Sequence, residues 1–369
     1  MYKNNANKFF LCAIVSSCLM LFSPLLIADT GMQSDRLDIP AAQSSQVAHT
    51  LKLSVASHKD TVVAVGLRGE VSVSFNAGES FSQSQVMLSS DLTTTRFTQD
   101  GSLWVLGHDA VLLRSNDLGL SWQRVLDGRS TFSMLNDYYQ QASNNGDEDA
   151  AYTLRDIKRS VEPLPTADTL PYPFFDISIN QQGHGFAVGA FGLLLKTKDG
   201  GLSWQPWMEK ANNAWAYHIY AVQQQGDDVY LAGERGFLRR LNEEKDTFER
   251  VETPFDGTYF GLFVNEEVIQ VYGLRGKVFS SKDGGENWQE IKLDTDSTVV
   301  SMLTTKSGDY IYVTQKGELI VYSEKEQNII HATTKITGEV TSAALVGNNK
   351  IALAQYNGIQ TVLLSSLFK

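Results

Sequence analysis

Three features of this 369-residue sequence predict an all-β fold, a seven-bladed β-propeller of four-stranded blades. A Gly-x-x-Gly turn recurs between short apolar strands. Its spacing is close to 41 residues. A second turn motif follows it in register in several units. A fixed period of about 40 residues carrying several short strands marks a propeller blade.

The first motif appears as Gly66-Leu67-Arg68-Gly69, Gly189-Ala190-Phe191-Gly192, Gly233-Glu234-Arg235-Gly236 and Gly273-Leu274-Arg275-Gly276. Weaker copies are Gly107-His108-Asp109-Ala110, Thr314-Gln315-Lys316-Gly317 and Gln355-Tyr356-Asn357-Gly358. First positions differ by 41, 82, 44, 40, 41 and 41 residues. Each turn follows a run rich in β-branched or aromatic residues, such as Val62–Val65 or Tyr310–Val313, which reads as a strand.

The second motif is the Asp box, S/T-x-D-x-G-x-S/T/N-W. It runs 115–122 with Asp117 and Trp122, 197–204 with Asp199 and Trp204, and 281–288 with Asp283 and Trp288. A decayed copy occupies 74–81. The chemistry is structural: the carboxylate accepts hydrogen bonds from its own turn, a glycine takes positive φ, and the Trp packs between blades.

The 82-residue gap equals two periods. The extra segment, 127–172, lacks both motifs and, with Pro173 directly after it, accounts for four of the eight prolines, which central strands exclude. Ala150 to Val161 has helical apolar spacing. The segment therefore reads as a partly helical insertion between blades 2 and 3. The last unit lacks a fourth strand, so 36–48 is expected to supply the outer strand of the last blade and remove an exposed edge.

At the N-terminus, Lys3 and Lys8 precede an uncharged apolar run, Phe9 to Ile27, with Ala28 as a small residue before a cut. This reads as a cleaved signal peptide over 1–28, leaving 29–369 as one propeller domain. An uncleaved anchor and a lipoprotein signal at Val15-Ser16-Ser17-Cys18 are rival readings. Both cysteines, Cys12 and Cys18, lie in this segment, so cleavage leaves no disulfide, thiolate metal site or cysteine nucleophile. Loss of Lys3 and Lys8 takes the net charge from −11 to −13.

That acidity argues against a nucleic-acid partner. Yet the third residue of the Gly-x-x-Gly turn is basic in four of seven units: Arg68, Arg235, Arg275 and Lys316. Basic residues recurring at one structural position against the net charge predict a localised basic, partner-binding face. The insertion, a connection between blades, is expected to overhang that face. The six histidines lack metal-ligand spacing, and no Lys-Ser/Thr follows the glycine turns to make a phosphate loop. No catalytic residue, metal or cofactor is therefore assigned. Trp207 and Trp215, with Tyr217 and Tyr220, form an aromatic cluster after the third blade, for which core packing is the default reading.

These motifs resemble the photosystem II stability/assembly factor family over roughly residues 45–365, most closely in Ala187 to Trp204. The resemblance implies a non-enzymatic propeller acting on the lumenal or periplasmic side in building membrane complexes. It implies that Arg68, Arg235 and Arg275 contact an acidic or polar segment of a membrane-protein client; the propeller itself is expected to be monomeric. The insertion departs from the compact photosynthetic members. It points to a non-photosynthetic bacterial relative serving an envelope transporter or another membrane complex. The alternative is a sialidase-type glycoside hydrolase, whose members also carry Asp boxes. Arg36-Leu37-Asp38-Ile39-Pro40 is only superficially like the Arg-Ile-Pro motif of such enzymes. No spacing singles out a pair of catalytic carboxylates among candidates such as Asp176 and Glu234.

Overall fold

The computed structural model describes residues 35–162, 168–332, 336 and 338–366. The signal-peptide reading of 1–28 lies outside them. The fold is a seven-bladed β-propeller. Blades 1 to 6 span 52–84, 92–126, 174–206, 219–250, 259–290 and 299–331. Each is a four-stranded antiparallel sheet in sequence order. Blade 7 spans 340–363 and has three strands among the described residues. Strands are called A to D from the axis outward.

Strand B is the most apolar because it is buried on both faces. In Thr61–Gly66 every residue is buried. Val63 and Val65 enter the seam toward blade 2, while Val62 and Ala64 enter the seam toward blade 7. Side chains alternate across a strand, so one strand feeds two seams. Among the described residues an apolar cluster fills each seam between neighbouring blades.

The ring closes between strands A of blades 7 and 1. Thr341 Oγ1 donates to the Lys52 carbonyl at 2.9 Å, and Ser57 Oγ donates to the Leu345 carbonyl at 2.5 Å. Residues 36–48 do not form the outer strand expected of them. Ala41 N–H donates to the Val86 carbonyl at 3.0 Å and Ser89 N–H to the Arg36 carbonyl at 2.8 Å, so the segment runs beside blade 1. The cause is apolar: Leu37 and Ala41 are buried in the cluster between blades 1 and 2. A 3-10 turn, Val47–His49, then brings the chain against the start of the last strand, where a Cβ at Gly358 would lie 2.2 Å from the Ala48 carbonyl oxygen.

Two antiparallel-packed helices, α1 (Gly128–Asn144) and α2 (Glu148–Val161), separate blades 2 and 3. Asp127 starts α1 with a capping box: its carboxylate accepts the Arg129 and Ser130 N–H groups, and Ser130 Oγ returns a bond to the Asp127 N–H. In α2, Ala150, Leu154, Ile157 and Val161 form the buried face, while Glu148 and Asp149 in the first turn and Lys158 and Arg159 in the last suit the helix dipole. The hairpin joins the seam between blades 2 and 3 through Phe132, Leu135 and Tyr139. Neither helix, nor any other among the described residues, is long and apolar enough to cross a membrane.

Candidate functional site

The two glycines of Gly-x-x-Gly serve different needs. A Cβ at the first glycine would strike the carbonyl just before strand A: Leu51 for Gly66, His218 for Gly233 and Thr258 for Gly273, each at 2.2 Å. The last glycine has positive φ, from +67° at Gly276 to +74° at Gly69 and Gly192. Between them, the third residue is also left-handed: Arg68, Phe191, Arg235 and Arg275 have φ of 55°, 55°, 51° and 57°. Such a conformation costs a non-glycine residue about 1–2 kcal/mol.

At these four turns the third side chain is exposed, Arg68, Arg235 and Arg275 among them. Among the described residues none of their guanidinium groups has an ion pair or side-chain hydrogen bond; Asp91 accepts only the Arg68 backbone N–H, at 2.8 Å. Lys316 is also exposed but is neutralised locally by Asp296 at 3.1 Å. Asp109, the blade 2 counterpart, turns inward: Ser90 Oγ donates to it at 2.6 Å and Arg36 pairs with it at 3.3 Å. The insertion meets this side of the disc at that turn. A Cβ at Gly128, the first residue of α1, would lie 3.0 Å from the Asp109 carbonyl oxygen.

Phe191 takes the same position in blade 3 and is 47% exposed. Its N–H donates to His218 Nδ1 at 3.0 Å, and its ring lies 4.6 Å from Tyr172 and 4.8 Å from His218, centroid to centroid. The aromatic cluster expected after blade 3 divides. Trp207 is buried against Phe186 and Phe248, whereas Trp215 is 79% exposed.

Register adds a feature the sequence does not display. In all seven blades the second residue of strand A is bulged out of the A–B ladder: Leu53, Thr93, Phe175, Tyr220, Phe260, Val300 and Thr341. A bulge re-aims a side chain and often borders a functional site. All seven residues line the axial cavity, of about 810 Å³.

Deeper in that cavity, Arg96 and Asp176 are the charged lining residues. Arg96 Nε lies 2.9 Å from Asp176 Oδ1. Burial raises the Asp176 carboxyl pKa, opposed by Arg96 and by the N–H groups of Val222 and Ile177. Tyr272 joins them from strand B by crossing Gly261, where a Cβ would lie 2.2 Å from the ring; burial pushes its hydroxyl up to about 12.

The Asp boxes lie at the C–D turns, on the opposite face from the Gly-x-x-Gly turns. Asp117 accepts Ser115 Oγ at 2.8 Å, Ser121 N–H at 2.9 Å and Ser121 Oγ at 2.5 Å. Asp199 and Asp283 repeat the pattern with Ser203 and Asn287. Bonds from Ser121 hold Asp117 at about 2, and bonds from Asn287 hold Asp283 at about 2. In the decayed copy Asn76 accepts Ser74 Oγ at 2.8 Å and Ser80 N–H at 3.0 Å, so an amide builds the same turn. The tryptophans reach neighbours: Trp122 Nε1 donates to Ser84 Oγ and Trp288 Nε1 to the Glu252 carbonyl, both at 2.9 Å, and Trp204 meets Trp104 edge-on at 6.3 Å. Among the described residues no group of three His, Cys, Asp or Glu side chains is placed to hold a metal.

Residues 160–351 match the model of a family described as photosynthesis system II assembly factor YCF48. A photosystem II assembly lipoprotein Ycf48 of Synechococcus sp. (strain CC9902) is 21% identical over 188 residues, 48% of this chain and 56% of that protein. A photosystem II assembly protein Ycf48 of Thermosynechococcus vestitus is 25% identical over 158 residues, 42% of this chain and 44% of that protein. The chain thus spans about half the length of the curated relatives it matches. Among solved structures, YCF48 bound to D1 peptide superposes with a TM-score of 0.60 at 13% identity, covering 88% of this chain and 99% of that one. A streptogramin B lyase superposes at 0.63 with 10% identity, covering 87% and 96%. At these identities the superpositions show the fold alone, and the fold serves binders and enzymes alike.

Proposed function

The chain belongs to the photosynthesis system II assembly factor YCF48 family, and from that membership we propose that it is a non-enzymatic assembly or stability factor for a membrane protein complex. On this reading it acts as a monomer on the exported side of the membrane, and the Gly-x-x-Gly face receives an acidic segment of a client subunit. One observation carries the choice of face: Arg68, Arg235 and Arg275 share one exposed, left-handed turn position and, among the described residues, have no carboxylate partner. An unpaired guanidinium held on a rigid turn keeps its donors free for a bidentate carboxylate contact. Lys316, paired with Asp296, contributes less. Support for an exported, membrane-complex role comes from relatives named as photosystem II assembly lipoproteins, and for a peptide ligand from the relative described as bound to a D1 peptide.

The hydrolase reading has weaker support. A sialidase-type site needs three arginines around the substrate carboxylate, a Tyr nucleophile with a Glu partner and an acidic proton donor, whereas the axial cavity is lined by one arginine, Arg96, and no Glu among the described residues. Among the described residues lining the axial cavity, Asp176 is the one carboxylate, and Arg96 and two backbone N–H groups hold it.

The test is charge reversal. Arg235→Glu with Arg275→Glu should leave thermal stability nearly unchanged, because both side chains are exposed and unpaired, yet abolish crosslinking and co-purification of client from membrane fractions. Unchanged co-purification would remove the basic face from the proposal.

A further inference from the structure

We propose that the bulged residues of blades 3 to 5, with Phe191, form a recognition site for an apolar side chain of an acidic, extended client peptide. The site deepens the reading of the basic face, on which it rests for the acidic character of the peptide.

The bulge that recurs in every blade makes a collar of seven side chains around the channel mouth. The collar is not uniform. Blades 1, 2, 6 and 7 place Leu53, Thr93, Val300 and Thr341 there, whereas three successive blades place Phe175, Tyr220 and Phe260. The three rings touch in series, with centroids 5.0 Å apart from Phe175 to Tyr220 and 5.1 Å from Tyr220 to Phe260. His218, 6.1 Å from both Phe175 and Tyr220, continues the row outward to Phe191. One track of rings therefore runs from the channel mouth to the turn surface across three blades.

Two features separate this track from packed core. Phe191 and Phe260 are 47% and 36% exposed. Moreover, Phe191 stands where blades 1, 4 and 5 carry arginine, in a left-handed conformation that disfavours a bulky ring. Strain of this kind, together with exposed aromatic area, persists where a function uses it.

Charge complementarity selects the occupant. Tyr220 and Phe260 belong to blades 4 and 5, whose outward turns carry Arg235 and Arg275. Two acids adjoin the track and both have partners: Glu234 accepts the His218 backbone N–H at 2.8 Å, and Asp176 pairs with Arg96 at 2.9 Å. Rings beside unpaired guanidinium groups fit a segment in which an aromatic or aliphatic residue adjoins Asp or Glu. Aromatic and arginine anchors are the residue types that dominate such interfaces. The rings would supply sequence preference and the arginines attraction and register.

A random-decapeptide phage library panned on the purified protein tests this whatever the client is. Enriched sequences should place an aromatic or aliphatic residue within two positions of Asp or Glu. As fluorescein-labelled peptides, the best of them should bind Phe191→Ala and Phe260→Ala roughly tenfold more weakly, with unchanged melting temperature. Changing the apolar peptide residue to Ser should cost the wild type the same factor and cost the variants little. Acidic enrichment without an apolar preference, an apolar preference that survives both substitutions, or no enrichment would overturn the proposal. A wild-type dimer that Phe191→Ala dissociates would also overturn it, assigning the track to a second copy of the chain. The basic face is scored separately. If Arg235→Glu retains selectivity for acidic peptides while the apolar preference persists, the arginine reading fails and the ring site stands.

Discussion

Arg96 of blade 2 and Asp176 of blade 3 form a 2.9 Å ion pair inside the axial cavity, and the other Asp176 oxygen accepts the Val222 N–H of blade 4 at 2.9 Å. One buried carboxylate thus ties three consecutive blades. Removing a partner leaves the remaining charge buried and unpaired, which costs about 3–5 kcal/mol. Arg96→Ala should therefore lower the free energy of denaturant unfolding by about that amount, while a paired Arg96→Met, Asp176→Leu replacement should recover much of it. Equal loss in the single and double variants would show that the ion pair does not couple the blades.

The Asp boxes set an acid limit. Asp117 and Asp283 are held near 2, below the ordinary carboxylate value of 3.8. A depressed folded-state pKa contributes stability that is complete above about pH 4 and fades as pH falls toward about 2. Asp117→Asn with Asp283→Asn should fold, because Asn76 already builds this turn with an amide. Its melting temperature should fall less steeply than that of the wild type between pH 4 and pH 2. Parallel slopes would mean that other carboxylates carry the acid sensitivity.

The insertion is clamped through Glu209, whose carboxylate accepts the hydroxyls of Tyr138 and Tyr139, each at 2.8 Å. Tyr139→Phe should cost about 1 kcal/mol by leaving one carboxylate oxygen without its donor. Amide exchange should then quicken in α1 and α2 ahead of the blades. Uniform acceleration across the ring would show that the hairpin unfolds only with the propeller.

Arg235 carries a conformational cost that function would explain. Arg235→Gly relieves a φ of 51°. The strain relief of about 1–2 kcal/mol exceeds the added unfolded-state freedom of glycine, about 0.5–1 kcal/mol. The variant should therefore melt slightly higher than the wild type while capturing less client. Lower stability would show that the arginine stem is packed rather than presented.

At the first glycine the direction reverses. Gly273→Ala places a Cβ 2.2 Å from the Thr258 carbonyl oxygen, so the turn or the bulged strand beside it must move. A loss of more than about 2 kcal/mol is expected, as for other overpacked backbone sites. A neutral effect would mean that the close A–B approach at the bulge is dispensable.

What was legible in the sequence was local. Blade period, turn motifs and Asp boxes were visible because their hydrogen bonds join residues two to four apart, as Ser115, Asp117, Gly119 and Ser121 do. The amphipathic face of α2 was readable for the same reason, as residues three or four apart share a helix face. The position of 36–48 was not. Its residues bond to partners more than 40 positions away in sequence, and either edge of the ring would satisfy the same composition.

The sequence by itself determined the all-β class, the number of repeats, and which residues occupy each Gly-x-x-Gly and Asp-box turn. Only the tertiary structure decided what those turns face. It showed Lys316 neutralised by Asp296 while three arginines have no such partner among the described residues. It placed Phe175, Tyr220 and Phe260 side by side although about 40 residues separate each from the next. It also revealed the one-residue bulge that turns them toward the channel. The physical reason is register. A strand's alternation specifies which of its side chains share a face, but a single-residue shift against the neighbouring strand exchanges the faces, and only the closed ring of packed blades sets that shift.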